Sequence, residues 1–236
     1  MENQQKVRLR PRISAAKLGD YIEARSAAAR ERILRDQKFP PNFITTRYRD
    51  AEHAMRSAVL SADDTSAQLS KAAERIARAP NKSKWQTEAR QLCVRAVQQF
   101  AKIIASVEGP AISFGPPPAD GYKLTVEGVA ISVMPLVRVV RRQGSEVVGH
   151  GLMLCVIRKN DAVTERAAEA IAEVLRMAVE ATGDEPVDPK LCMVVDVFAG
   201  KTYRAATRGK RMQLDLLSAC REIVVRWDSL KRRGAA

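Results

Sequence analysis

The chain of 236 residues predicts an α+β fold, in which a helical N-terminal region precedes an α-β-β-β-α-β core and a C-terminal helix. The sheet is predicted from one segment, 122–159, which is dense in Val and Ile. β-branched residues favour a pleated surface, and glycines divide the segment into separate strands. The three predicted strands are 123–126, 129–140 and 147–157. Pro135 lacks the N–H that a central ladder needs, so we expect a bulge or strand edge there.

Helical patterns lie on both sides of this segment. Apolar residues recur at spacings of three and four in 85–107 and again in 164–182. Such spacing gives a helix one apolar face, and we expect both helices to cover the sheet. A further apolar run, 191–198, predicts a buried strand that reverses at Ala199-Gly200-Lys201 into another strand, 202–205.

The chain is divided by composition into a basic helical N-terminal region, 1–80, and an α/β core, 81–236. Pro80 ends the last helical pattern of the first region. The run Gly115-Pro116-Pro117-Pro118 has the composition of a linker. We do not place a domain boundary there, because the strands that follow still need a helix to cover one face.

The charge balance favours polyanionic partners. Forty Lys and Arg residues face 27 Asp and Glu residues, which gives a net charge of +13. Nucleic acid or an anionic membrane surface is the natural partner of such a chain, although basic charge also serves solubility alone. Residues 1–110 hold 21 of the basic residues and only 12 of the acidic ones, so most of the excess lies in the first half.

The cysteines and histidines limit the disulfides and metal sites that the chain could form. The four cysteines are far apart and form no C-x-x-C pair, which indicates buried thiols in a reducing compartment. Two histidines are too few for a histidine-rich metal cluster. No apolar run has the length of a membrane helix, and the start of the chain lacks a signal-peptide pattern. We therefore expect a cytoplasmic protein with no disulfide, no zinc and no membrane partner.

Two groups of basic residues are candidates for nucleic-acid contact. The first group lies beside the aromatic residues Phe39, Phe43 and Tyr48, and phosphate contact with base stacking would use that combination. These aromatic residues serve equally well to anchor a turn. The members of the first group are Arg30, Arg32, Arg35, Lys38, Arg47 and Arg49. The second group decorates the rim of the predicted sheet and comprises Arg138, Arg141, Arg142, Lys159, Lys201 and Arg204. We expect the first group to contribute more, because the first half carries most of the excess charge.

Two stretches of the predicted sheet carry a family resemblance. Met134-Pro135-Leu136-Val137 lies in the second strand, and 149–157 forms the third. With the order helix, three strands, helix, strand, the segment 85–206 resembles the PD-(D/E)XK nuclease superfamily. This restriction-endonuclease-like fold includes RecB-like exonucleases.

The resemblance implies where a metal site would be. In the family, an Asp of the second strand and an E-x-K on the third strand hold a divalent metal near the scissile phosphate. Here Leu136 stands in place of that Asp, and the third strand has neither Glu nor Lys before Lys159. The expected metal ligands are therefore missing. The acids that could form a migrated site are Glu88, Glu127 and Asp196. Asp196 lies in an apolar run, so its carboxylate is either buried with a partner or role of its own, or at a strand edge facing solvent.

The sequence thus predicts a nucleic-acid-binding, nuclease-like module without a recognisable metal site or cofactor, acting as a subunit or accessory factor in a DNA- or RNA-handling system. One alternative is an active nuclease that uses Mg²⁺ and the migrated acids. Another is a protein-interaction scaffold, in which the alanine-rich helices of the first half pack against a protein partner or a second copy. In the leading prediction the protein is not an enzyme. The loss of the metal ligands abolishes hydrolysis, whereas the attraction of Lys and Arg side chains to phosphate remains.

Overall fold

A computed structural model of the chain describes residues 7–40, 47–80, 83–183, 186–206 and 209–231, and within them it contains seven α helices and eight strands in two mixed sheets. The mixed α+β class predicted from the sequence is confirmed. In chain order the elements are β1 (Arg12–Ser14), α1 (Ala15–Glu23), α2 (Ala27–Lys38), α3 (Arg49–Val59), α4 (Thr65–Arg78), α5 (Lys84–Ile104), β2 (Ile112–Gly115), β3 (Tyr122–Val126), β4 (Val129–Val133), β5 (Val137–Gln143), β6 (Glu146–Val156), α6 (Glu165–Glu180), a 3₁₀ turn (Pro189–Leu191), β7 (Met193–Asp196), β8 (Lys201–Arg204) and α7 (Lys210–Trp227).

The helices begin at residues that satisfy the exposed N–H groups of the first turn. In five helices a side-chain oxygen at the N-cap accepts a hydrogen bond from a backbone N–H two or three residues later, which removes the cost of leaving that donor unpaired. These N-cap residues are Ser14, Ser26, Asp64, Ser83 and Thr164.

The larger sheet has five strands in the order β2-β5-β6-β7-β8. All neighbours are antiparallel except β6 and β7, which run parallel and are joined by α6 as a crossover. β7 turns back through 197–200 into β8, so the predicted hairpin is confirmed. Both faces of β6 and β7 are covered by helices, which explains why these strands are almost continuously apolar.

Two hydrophobic cores lie on opposite faces of this sheet. Leu152 and Leu154 of β6 belong to one core, shared with α1, α6 and α7. Met153, between them in sequence, belongs to the other core, shared with α3, α4 and α5, where Phe100 is fully buried. This alternation follows from the two-residue period of a strand. The predicted cover of helices on the sheet is therefore confirmed on both faces.

The prediction that the three strands of 123–157 belong to one sheet is wrong. The run 129–140 is broken after Val133, and β4 pairs with β3 and β1 in a separate three-stranded sheet. Only β5 continues into the larger sheet, where its antiparallel neighbour on the outer side is β2. β2 ends at Gly115, in the stretch that the sequence indicated as a linker. Pro135 lies between β4 and β5, in agreement with the expected interruption, since its missing N–H ends the ladder.

Residues of the region 1–80 pack on both faces of the larger sheet. Arg12 of β1 pairs with Ala130 of β4, and α1 packs closely on α6. α3 and α4 instead join α5 in the opposite core, where the buried alanines of α3 and α4 contact other helices of the same chain. None of the helices described has the length and apolar character required to cross a membrane.

Candidate functional site

Leu136, the position at which the sequence resemblance would place a metal-binding Asp, is buried and apolar. Leu136 is 4% exposed, and its backbone N–H donates to the carbonyl oxygen of Met153 on β6 at 2.7 Å. The next residue, Val137, is the strand partner of Met153. Met153 and Cys155 are two residues apart on β6, so their side chains share the face that Leu136 packs against. Three uncharged side chains therefore occupy this junction of β5 and β6, which we call the strand junction.

Helix α3 lies over the strand junction. The guanidinium of Arg56 donates from Nε to the carbonyl oxygen of Leu136 at 3.0 Å and from Nη2 to that of Pro135 at 3.3 Å. These hydrogen bonds satisfy the carbonyl groups that the proline-interrupted ladder leaves without strand partners. The helix is held down by a stripe of buried small and apolar residues, Ala51, Ala54, Met55 and Ala58.

One acidic residue reaches the strand junction. Glu52 lies one helical turn before Arg56 with an exposed side chain; partial desolvation by the surrounding protein raises the pKa of its carboxyl group, and the charge of Arg56 opposes that rise. Burial also raises the pKa of the Cys155 thiol, with a smaller contribution from the negative charge of Glu52. Hydrolysis by a bound metal needs several hard oxygen ligands, and a single carboxylate beside a neutral thiol does not supply them.

Asp196 is buried and has structural partners. Its side chain is 1% exposed, Oδ2 accepts from the backbone N–H of Val163 at 2.7 Å, and Oδ1 accepts from that of Ala199 at 3.1 Å. Of the two alternatives, the buried carboxylate with partners is therefore the one found, and the solvent-facing strand edge is wrong. The carboxylate joins the loop before α6 to the turn between β7 and β8, and these two charge-assisted hydrogen bonds stabilise its buried charge.

Glu127 lies in the tight turn between β3 and β4. Its φ of 47° and the φ of 80° at Gly128 are typical of a two-residue hairpin turn with both central residues in the left-handed region. The carboxylate accepts from Nη2 of Arg221 on α7 at 2.9 Å, and this pairing lowers the pKa of Glu127. Glu88 is exposed on α5, and α5 covers the face of the larger sheet opposite to the face covered by α7. Within the described ranges, no group of three or more His, Cys, Asp or Glu side chains is arranged to hold a metal ion.

The basic residues of α2 contact α7. Arg30 pairs with Glu222 at 3.1 Å, and Arg35 pairs with Glu31 and donates to the carbonyl oxygen of Lys231. Lys38 donates to three carbonyl oxygens at the end of α7, those of Trp227, Asp228 and Leu230. Arg32 is exposed and lines a cavity of about 570 Å³ between α1, α2 and the loop before α6. Three of these four cations are thus engaged in holding two helices together.

The basic residues expected at the rim of the sheet lie on different strands. Nε of Arg138 donates to Nε2 of His150 at 3.1 Å, Arg141 pairs with Asp188, and Arg142 donates to the carbonyl oxygen of Ser145. All three belong to β5. Lys201 and Arg204 lie on β8, the edge strand on the other side of β6 and β7, and Lys159 follows β6. The twelve predicted contact residues are therefore spread over α2, the start of α3, β5, the end of β6 and β8.

One group that sequence reasoning did not assemble combines exposed cations with aromatic rings. The rings of Tyr48 and Phe198 are 5.9 Å apart between centroids and tilted by 60°. The guanidinium carbon of Arg95 on α5 lies 5.9 Å from the centroid of Phe198. Arg47 precedes Tyr48, and its carbonyl oxygen accepts from the thiol of Cys93 at 3.2 Å. We call Arg47, Tyr48, Arg95 and Phe198 the basic-aromatic cluster.

Part of the basic-aromatic cluster was predicted from the sequence. Arg47 and Tyr48 belong to the segment of interleaved basic and aromatic residues, but Phe198 and Arg95 come from the β7–β8 turn and from α5. Phe39 of the same segment is half-buried against the core of α1 and α6, so it serves packing. Phe43 lies outside the described residues. The available signal for Phe198 was a large aromatic residue directly at a strand-ending turn.

No protein-family model and no curated protein sequence matches this chain.

Proposed function

We propose that this chain is a nuclease-like, nucleic-acid-binding module without metal-dependent catalysis, acting as a subunit or accessory factor in a DNA- or RNA-handling system. The observation that carries the proposal is the strand junction. If the chain has the PD-(D/E)XK core, Leu136, Met153 and Cys155 would stand where that superfamily places its metal-binding residues, and the three side chains here are Leu, Met and a thiol whose pKa is raised by burial.

The order of elements in the larger sheet supports the resemblance. Within this sheet and its two covering layers, the chain runs α5, β2, β5, β6, α6, β7, which is the order helix, three strands, helix, strand. The β3–β4 hairpin is then an insertion between the first and second strands of that core. This assignment makes β5 the second strand and β6 the third, so Leu136 directly precedes the second strand and Met153 and Cys155 have the spacing of E-x-K.

The chemistry of the strand junction argues against hydrolysis. Mg²⁺ and Mn²⁺ bind carboxylate, carbonyl and water oxygens, and hydrolysis of a phosphodiester needs such an ion to orient water and neutralise developing charge. The two carbonyl oxygens of Pro135 and Leu136 accept from Arg56, whose positive charge repels a second cation. The packing of α3 also excludes a substrate phosphate from Leu136 and Met153.

The net charge of +13 supports the binding half of the proposal. Attraction to a phosphate backbone depends on Lys and Arg and not on the metal ligands, so it survives the loss of catalysis. The acid–base pairs on α2, β5 and α7 remove several cations from this surface. Cations that remain exposed include Arg47 and Arg49 at the start of α3, Arg95 on α5 and Lys201 at the start of β8.

The test combines cleavage and binding. The purified chain is incubated with labelled single- and double-stranded DNA and RNA in the presence of Mg²⁺ or Mn²⁺. We expect no cleavage, together with binding whose affinity falls steeply as salt increases. Cleavage that is lost in Glu52→Gln or Glu127→Ala would favour the active-nuclease alternative. A stable oligomer by light scattering that ignores every nucleic-acid probe would favour the scaffold alternative.

A further inference from the structure

We infer that the basic-aromatic cluster binds single-stranded nucleic acid by stacking unpaired bases on Tyr48, Phe198 and the guanidinium plane of Arg95. This inference rests on the proposed function and assigns its ligand class and its surface. Tyr48 and Phe198 are both half-buried against the core of α3, α4 and α5, while Arg95, whose guanidinium lies over the Phe198 ring, is exposed. Aromatic faces and arginine planes stack on bases of any sequence.

Hydrogen bonds to the backbone order the two segments that carry the rings. The thiol of Cys93 donates to the carbonyl oxygen of Arg47, and the carbonyl oxygen of Tyr48 accepts the N–H of Glu52 in the first turn of α3. Phe198 lies in the β7–β8 turn, where Asp196 accepts the N–H of Ala199. A stacking surface that is already ordered loses little conformational entropy when a base binds, which favours affinity.

The charges around the rings suit a phosphate backbone. Arg47 and Arg49 flank Tyr48 in sequence, and Lys201 begins β8 directly after the turn that contains Phe198; all three cations are exposed. Two acids follow on α3, Asp50 and Glu52. Both acids are exposed in the first turn of α3, and they stand against four exposed cations, Arg47, Arg49, Arg95 and Lys201, so the balance of charge around the rings remains positive.

Stacking geometry distinguishes single strands from duplexes. In a duplex, both faces of each base are covered by neighbouring base pairs, so an aromatic ring on a protein surface gains nothing from them. A single strand presents free base faces together with its phosphates, and the combination of cations and rings fits both. We therefore expect the cluster to contribute to binding of single-stranded DNA and RNA and to contribute only its charge to duplex binding.

The experiment measures fluorescence anisotropy of a labelled mixed-sequence DNA strand, the same sequence as RNA, and the DNA duplex. Phe198→Leu keeps apolar volume and removes the ring, and Arg95→Lys keeps the charge and removes the planar group. We expect each variant to weaken binding of both single strands by about fivefold or more, and duplex binding by less than about twofold. The matched controls are Phe114→Leu, a half-buried ring on β2 in the same core, and Arg75→Lys, an exposed arginine on α4. Both should leave all three affinities unchanged.

The outcomes separate this inference from the proposed function. If the wild-type chain binds nucleic acid but prefers the duplex, or if Arg95→Lys and Phe198→Leu bind single strands as tightly as the wild type, the stacking assignment is wrong and the proposed function stands. If the wild-type chain binds none of the probes, the proposed function fails and the inference fails with it. Arg95 is exposed on a helix, so Arg95→Lys remains informative even where Phe198→Leu lowers stability; thermal unfolding of each variant identifies that case.

Discussion

The side chain of Lys38 closes the C-terminal end of α7, where its Nζ donates to the carbonyl oxygen of Trp227 at 2.7 Å. The last carbonyl groups of a helix have no partner within the helix and carry the negative end of its dipole. A lysine side chain from a neighbouring helix supplies both the missing hydrogen-bond donor and a positive charge. Lys38 therefore holds α2 against α7, in addition to contributing a positive charge.

Replacing Lys38 should therefore lower stability. We expect Lys38→Met to reduce the free energy of unfolding by about 1–2 kcal/mol, since hydrogen bonds to a charged group contribute about that much. Urea denaturation measures the change. Arg32→Met, an exposed position on the same helix, is the matched control and should stay within about 0.5 kcal/mol of wild type. Equal stability of the two variants would show that Lys38 does not cap α7.

The salt dependence of binding should identify Arg47 and Arg49 as phosphate contacts. Each lost contact reduces the log–log slope by about 0.9 on duplex DNA and about 0.7 on single strands, so the double change to Gln should reduce it by roughly 1.4 to 1.8. Lys71 and Arg75, two exposed cations on α4, provide the control pair. The same slope change in both double variants would indicate general charge and no local contact.

Gly19 should not tolerate alanine, although it lies in the middle of a helix. A Cβ at Gly19 would lie 2.7 Å from the carbonyl oxygen of Ala167 and 2.7 Å from Cγ1 of Ile171, because α1 packs closely on α6. Helix propensity alone favours alanine by about 1 kcal/mol, whereas overpacking costs about 1–3 kcal/mol.

We expect the clash to prevail, with a lower midpoint of urea unfolding for Gly19→Ala. Gly109→Ala is the control, because a Cβ there meets nothing within 4 Å and its effect should be neutral or slightly stabilising. A stabilised Gly19→Ala variant would mean that α1 and α6 lie further apart than the distances at Gly19 indicate.

The carboxylate of Asp196 should matter for stability more than for any reaction. Asp196→Ala leaves the N–H groups of Val163 and Ala199 buried or half-buried without this acceptor, and each such loss costs about 1–3 kcal/mol. We expect a total loss of about 3 kcal/mol and, for Asp196→Asn, a smaller one. Chemical denaturation measures both. Glu88→Ala, at an exposed acid, should be close to wild type, and an equally stable Asp196→Ala would contradict the structural role.

Tyr21 should make stability depend on pH in the alkaline range. Burial, with a smaller contribution from the charge of Glu222, raises the pKa of Tyr21 from 10.0 to about 12. A raised pKa in the folded state means that the neutral phenol is favoured by folding. The corresponding stability is present below pH 10.0 and is lost as the pH rises toward about 12.

This difference in pKa corresponds to roughly 2 to 3 kcal/mol of pH-dependent stability. The Tyr21→Phe variant has no phenol to ionise, so it lacks this contribution. Urea denaturation of wild type and Tyr21→Phe across this pH range gives the comparison. We expect the wild type to lose more stability than Tyr21→Phe, and parallel curves would show that the phenol titrates normally.

Local patterns were sufficient for the helices that cover the sheet. The predicted helices 85–107 and 164–182 are found as α5, 84–104, and α6, 165–180, within a few residues of each end. The β7–β8 hairpin and the interruption at Pro135 were also predictable. Each of these features depends on residues within a few turns of one another, through amphipathic spacing, a turn signal or a missing N–H.

What the sequence determined by itself was therefore the type and approximate bounds of these elements, the basic charge and the absence of acids at Leu136 and along the third predicted strand. Only the tertiary structure decided that β4 and β5 belong to different sheets, that β2 is the outer strand of the larger one, and that Lys38 is engaged by α7. It also decided that Phe198 meets Tyr48 and Arg95. The physical reason is that these contacts join segments far apart in the chain, and their partners are chosen by the packing of layers, which no local pattern of residues specifies.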